Sequence, residues 1–214
     1  MLQFIKDPLR GGFFMAGKRC CFIGHRTIEQ TEELLITLKA TIRRLILEEG
    51  VHYFLFGSRS AFDDLCHSIV TDFQLEYPHI VRVAYTRRSE YAVKAEEKVE
   101  MERTWASVLK TEIRLKDYDA EVQSDRVYSA GKASYVERNQ EMIDDSDFCV
   151  FYYNENYFPP KRKRTNRDLS TYQPKSGTRL AYEYALQKSK NGEKMVINTY
   201  NNFRWTDANR WDKD

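Results

Sequence analysis

No apolar run in this sequence approaches the roughly 20 residues that cross a bilayer, so no membrane partner is expected. The opening segment, residues 1–17, carries Lys6, Asp7 and Pro8 among its apolar residues and makes a poor signal peptide. Gly11, Gly12 and Gly17 mark it as a leader whose order the sequence leaves open. Cysteines number four, and no two of them form CxxC. Cys20, Cys21, Cys66 and Cys149 all sit in apolar runs. The adjacent Cys20 and Cys21 face opposite sides of a strand, which disfavours a shared metal. Buried free thiols in a reducing cytoplasm fit best. The sequence has no HExxH, no GxSxG and no metal-spaced set among its four scattered histidines, so neither metal nor cofactor is expected. Walker A and GxGxxG are also missing, so neither a P-loop enzyme nor an ordinary Rossmann dehydrogenase is supported. A formal charge of only +2 argues against a whole-surface nucleic-acid binder and leaves room for a local basic patch.

What is present is a rhythm. Residues 19–23 read as a short, fully buried strand. Thr27 and Gln30 form a T-x-x-Q capping box for a helix carrying Leu34, Leu35, Leu38, Ile42, Leu45 and Ile46, which Gly50 ends. Residues 52–56 give a second strand, and Ser60 with Asp63 caps a helix faced by Phe62, Leu65, Cys66, Ile69, Val70 and Phe73. Residues 80–85 give a third strand. Residues 86–130 are highly charged, show no clean strand and read as a helical insertion. Ser134 and Glu137 form a second capping box, for a helix running to about Asp144. Strands at 148–153 and 195–200 then flank a helix starting near Thr178, and 201–214 form a tail.

This alternation predicts one doubly wound Rossmann-like α/β domain over 18–200, with a parallel sheet of strand order 3-2-1-4-5. The topological switch point then lies between the first and fourth strands, and ligands of such sheets bind outside the carboxyl ends there. Gly24, His25 and Arg26 form one lip, and Tyr153 and Asn154 the other. A bare glycine lets a ligand approach, and the amides that follow it open a helix whose positive end favours an anion. The bland alternative is a plain turn with two solvated basic residues. Gly57, Ser58 and Arg59 repeat the pattern after the second strand, with Arg59 a candidate phosphate clamp and Asp63 a cap or a partner for a ribose hydroxyl. Ser176, Gly177 and Thr178 make a third small-residue turn. Arg138 and Asn139 lie one turn inside their helix, either at the site or on an exposed face.

Together, CCFIGHR, FLFGSRSAFDDLC, YVERNQEMIDDSDFCVFYYN and KSGTRLAYEYA resemble the SLOG superfamily, most of all its YpsA-like bacterial branch. The resemblance covers about residues 18–200 and is weakest over 86–130. It implies a Rossmann-like fold that binds nucleotides or nucleotide-derived ligands, and it implies dimers. The relatives include the LOG phosphoribohydrolases and the DNA-binding protein DprA. The LOG pattern has an arginine before the fourth strand and PGGxGTxxE after it. Arg138 and Asn139 stand at the arginine position, and the turn Ser176, Gly177, Thr178 at the GT position. The paired PGG is missing and Ala181 stands where the glutamate falls. Glu183 lies about 200° further round the helix.

The leading expectation is a nucleotide-derivative-binding protein, a sensor or sequestering module. Two alternatives stay open. One is an N-glycosidic hydrolase with Glu183 or Asp63 as acid or base and Arg138 on the phosphate. The other is single-stranded DNA binding through the basic run 161–164 and Arg167, with Tyr157, Phe158 and Tyr172 to stack on bases.

Overall fold

The apolar runs do become strands, and their alternate residues face two separate cores. The computed structural model describes residues 5–6, 13–14, 17–57, 60–87, 117–124, 132–157, 176–192, 194–200 and 204–205. In chain order the strands are β1 (Ile5–Lys6), β2 (Phe13–Phe14), β3 (Lys18–Gly24), β4 (Val51–Phe56), β5 (Val81–Arg87), β6 (Ala120–Ser124), β7 (Phe148–Tyr152), β8 (Met195–Asn198) and β9 (Arg204–Trp205). The described helices are α1 (Glu32–Leu47), α2 (Ala61–Glu76), α3 (Lys132–Asp144) and α4 (Gly177–Lys190). The main sheet runs β6-β5-β4-β3-β7-β8-β9. All its pairings are parallel except β8 with β9. β1 and β2 form a separate antiparallel pair.

The α/β class is as the sequence predicts, and the sheet is wider than its five-strand order. Two edges account for the difference. β6 arises inside the stretch read as an insertion without strands, and it pairs with β5 from Val83↔Ala120 to Arg87↔Ser124. β9 arises in the tail and pairs antiparallel with β8. Neither edge strand has the long apolar run that betrays a buried one. AEVQS is an alternating, half-polar sequence.

The two faces are cleanly divided. Cys20, Phe22, Phe54, Phe56, Phe148 and Val150 pack under α1 and α2, whose Leu38, Ile42, Leu45, Phe62 and Cys66 are fully buried. Cys21, Ile23, Leu55, Val83, Cys149 and Phe151 pack under α3 and α4. Each fully buried aliphatic or aromatic side chain contributes about 1.5–3 kcal/mol. All four cysteines are buried and free, with Cys20 and Cys21 in different cores. The chain leaves β3 through α1 on one face and enters β7 through α3 on the other. The switch point therefore lies between β3 and β7, which pair from Cys20↔Phe148 to Gly24↔Tyr152. No described helix is long and apolar enough to cross a membrane.

Two caps differ from the expected ones. α1 begins at Glu32, with Thr31 as N-cap accepting from the Leu34 amide at 3.1 Å. The Thr27–Gln30 box therefore lies in the loop before the helix. Thr31 takes the cap with extended backbone dihedrals and a side-chain oxygen that satisfies an amide of the first turn. α3 begins at Lys132, two residues before Ser134, so Ser134 is inside the helix. Ser60 caps α2 as expected, accepting from the Asp63 amide at 3.1 Å.

Candidate functional site

The late start of α1 changes the chemistry of the opening motif. Seven residues separate Gly24 from the first helical turn, so no helix end stands behind His25 and Arg26. That first turn holds Glu32 and Glu33, and the first turn of α2 holds Asp63 and Asp64. Carboxylates there already neutralise the positive helix ends. α4 is different. Its first turn has no acidic residue, and Ser176 caps it by accepting from the Arg179 amide at 3.1 Å. Gly177 is exposed, and the space where its Cβ would sit is open to 4 Å. Of these three helix starts, that of α4 alone keeps its field for an anion.

Thr178 ties this start to the switch point. Its buried hydroxyl donates to the Gly24 carbonyl at 3.0 Å. Gly24 itself is needed for packing. A Cβ there would stand 2.4 Å from the Phe62 Cβ and 2.5 Å from the ring, in a fully buried part of the core. The side expected to admit a ligand is thus filled by α2. Gly57 serves Arg138 in a similar way, since a Cβ there would be 2.9 Å from the guanidinium Nε. Arg138 reaches the end of β4 from α3 and is only 2% exposed. Its Nη2 donates to the Asn139 Oδ1 at 3.3 Å, and its charge lies 5.4 Å from the Tyr135 ring centre. Asn139 is buried too. A guanidinium is costly to bury, so its place at the carboxyl edge is a strong site signal.

His25 is the centre of the lip. Its ring is 1% exposed and stacks on Tyr157 at 4.0 Å between centres. Tyr153 lies 6.0 Å away and stacks in turn on Tyr182 at 4.6 Å. The Asn154 amide donates to the His25 Nε2 at 2.9 Å. An amide can only donate, so Nε2 carries the lone pair and Nδ1 carries the proton. That Nδ1 is buried and has no hydrogen-bond partner among the described residues. The turn that holds Tyr157 against the ring is fixed by Asn154. Its carbonyl accepts from the Tyr157 amide and its Oδ1 from the Asn156 amide.

Burial lowers the pKa of His25, and burial likewise lowers that of His67. The unfolded chain therefore binds more protons than the folded one as pH falls through the usual histidine range, and stability must fall with it. The thermal midpoint should drop between pH 7.5 and 5.5, and His25→Gln should flatten that slope. An unaltered slope in the variant would show that His25 is not held neutral.

The other expected residues fall as follows. Arg26 is exposed, and its main-chain carbonyl accepts from the Ala61 amide at 3.0 Å. Ser58 and Arg59 lie outside the described residues, as do the basic run 161–164, Arg167, Phe158 and Tyr172. Asp63 is 1% exposed in the first turn of α2. Glu183 pairs with Arg179 at 2.9 Å on the exposed face of α4, while Ala181 faces the core. The structure thus brings Gly24, His25, Asn154 and Thr178 together, and sets Arg138, bonded to Asn139, beside Gly57.

Asn198 escaped the sequence reading. At the end of β8, its Oδ1 accepts from the Tyr153 amide at 2.9 Å and its Nδ2 donates to the Tyr153 carbonyl at 2.9 Å. It holds the lip beyond β7 in place. A polar residue closing the buried run MVIN is the signal that could have found it. A separate cleft of about 240 Å³ at the start of α1 is lined by Gln30, Thr31, Glu32, Leu35 and Leu65. Its acidic and apolar lining offers little to an anion. No cluster of metal-ligating side chains occurs among the described residues. Comparison with protein-family models and with curated proteins finds no match to this chain.

Proposed function

We propose that this chain binds a nucleotide or a nucleotide-derived ligand in the crevice between the carboxyl ends of β3 and β7. The observation that carries the reading is the buried His25, whose protonated Nδ1 lacks a partner among the described residues. A buried donor left unsatisfied costs about 1–3 kcal/mol, and a ligand acceptor removes that cost. Two further features support it. The acid-free start of α4 stands against the end of β3 through Thr178, and suits a phosphate. Arg138 brings a cation to the end of the neighbouring strand. The resemblance of the motifs to SLOG proteins points the same way. Hydrolysis finds less support, since Glu183 is engaged by Arg179 on the outer face of α4.

The test is a thermal-shift screen with the four common mononucleotides, their cyclic forms and ADP-ribose. A ligand present at 100 times its dissociation constant adds about 2.7 kcal/mol of stability, enough to raise the midpoint by several degrees. A flat response to the whole panel would refute the proposal.

A further inference from the structure

Nucleotide binding leaves open which part of the ligand meets His25, and the surroundings of the ring address that question. Nε2 is committed to the Asn154 amide at 2.9 Å, so the imidazole offers one donor and no second acceptor. Protonation would place a hydrogen on Nε2 facing that amide hydrogen. The ring is therefore locked in its neutral form by geometry as well as by burial. The groups described around it are aromatic: Tyr157 stacked on its face, Tyr152 edge-on at 6.3 Å and Tyr153 tilted at 6.0 Å. A phosphate gains most from charged or helix-end donors, and Arg138 and the start of α4 are better suited to it. A neutral N–H among stacked rings instead suits a neutral acceptor on a flat group.

We propose that the Nδ1–H of His25 reads a ring nitrogen or carbonyl of the ligand's base, so that this residue selects a heteroaromatic acceptor edge rather than the phosphate. The inference rests on the nucleotide reading above and assigns one contact within it. An edge that presents an amine at this point would set two donors against each other and be rejected. Tyr157 and Tyr153, both half-buried, provide the flat surroundings that such a base shares with the imidazole.

The experiment compares the four mononucleotides with ribose 5-phosphate, which keeps sugar and phosphate and lacks the base. His25→Gln is the informative variant, because its amide oxygen can still accept from Asn154 while the Nδ1–H is lost. The variant should bind the best mononucleotide about tenfold more weakly and ribose 5-phosphate unchanged. In the native protein, nitrogen NMR of the imidazole should show the Nδ1–H tautomer throughout. Its Nδ1 signal should move on adding that mononucleotide and stay still with ribose 5-phosphate. Equal weakening for both probes, or an Nδ1 response to ribose 5-phosphate, would assign the contact to the sugar or phosphate and overturn the proposal. Unchanged mononucleotide affinity in the variant would overturn it too, while leaving the nucleotide reading intact. If neither the mononucleotides nor their cyclic forms nor ADP-ribose bind the native protein, both readings fall together.

Discussion

Gly24→Ala should destabilise the protein by about 3 kcal/mol, although it adds a single methyl group. The added carbon would lie 2.4 Å from the Phe62 Cβ and 2.5 Å from Cγ and Cδ1. Phe62 cannot simply rotate away, because its side chain is fully buried and belongs to the core under α1 and α2. Nor can Gly24 retreat, since it pairs with Tyr152 in the sheet and its carbonyl accepts from Thr178. The strain is therefore shared between β3 and α2. Phe62→Ala alone should cost about 3–5 kcal/mol through the cavity it leaves. The double variant should cost less than the sum, because the new methyl then enters vacated space. Urea denaturation of the four proteins reads the coupling directly. Strict additivity would mean that Phe62 is not what keeps residue 24 a glycine.

The largest effect on binding is expected from Arg138→Ala. Charge-assisted hydrogen bonds contribute roughly 1.5–3 kcal/mol each, so affinity for a mononucleotide should fall about tenfold to a hundredfold. Ribose 5-phosphate should suffer the same loss, because the guanidinium serves the phosphate end. Arg138→Lys should restore little, since an ammonium lacks the planar fork. Gly57→Ala offers an independent route to the same place, as its methyl would press on the Arg138 Nε. Calorimetric titration of all three variants decides the matter. Native affinity for ribose 5-phosphate in Arg138→Ala would make the buried arginine a purely structural group.

The central strands were legible because both of their faces are buried. Runs such as CCFI, HYFLF and FCVFYY leave few alternatives to an interior parallel strand. The helical core faces were legible for a similar reason: five of the six apolar positions expected on α1 are buried and the sixth, Leu35, is partly so. The edges were not. β6 and β9 owe their strand form to pairing with β5 and β8 rather than to their own sequences. At the site, the sequence showed which residues lie near the switch point but not what each is for. Gly24 was read as an opening, yet its neighbour Phe62 comes from a helix 38 positions along, a contact that no local pattern encodes. The tautomer of His25 was equally invisible, because it depends on the amide of Asn154, 129 residues away.

The pairing of β3 with β7 has a consequence for how the molecule is made. These neighbours at the heart of the sheet stand 128 residues apart in the chain, as the bond from the Arg19 amide to Asp147 shows. A ribosome must therefore extrude more than half the protein before β3 can acquire its second partner. Until then, Cys20 to Ile23, all at most 1% exposed in the finished fold, border an unfilled edge. Closing so long a loop costs entropy before any contact repays it, so assembly is intrinsically slow. The nascent chain thus passes through an interval in which its most buried strand is clothed on one side only, and an unpaired apolar edge of that kind favours aggregation.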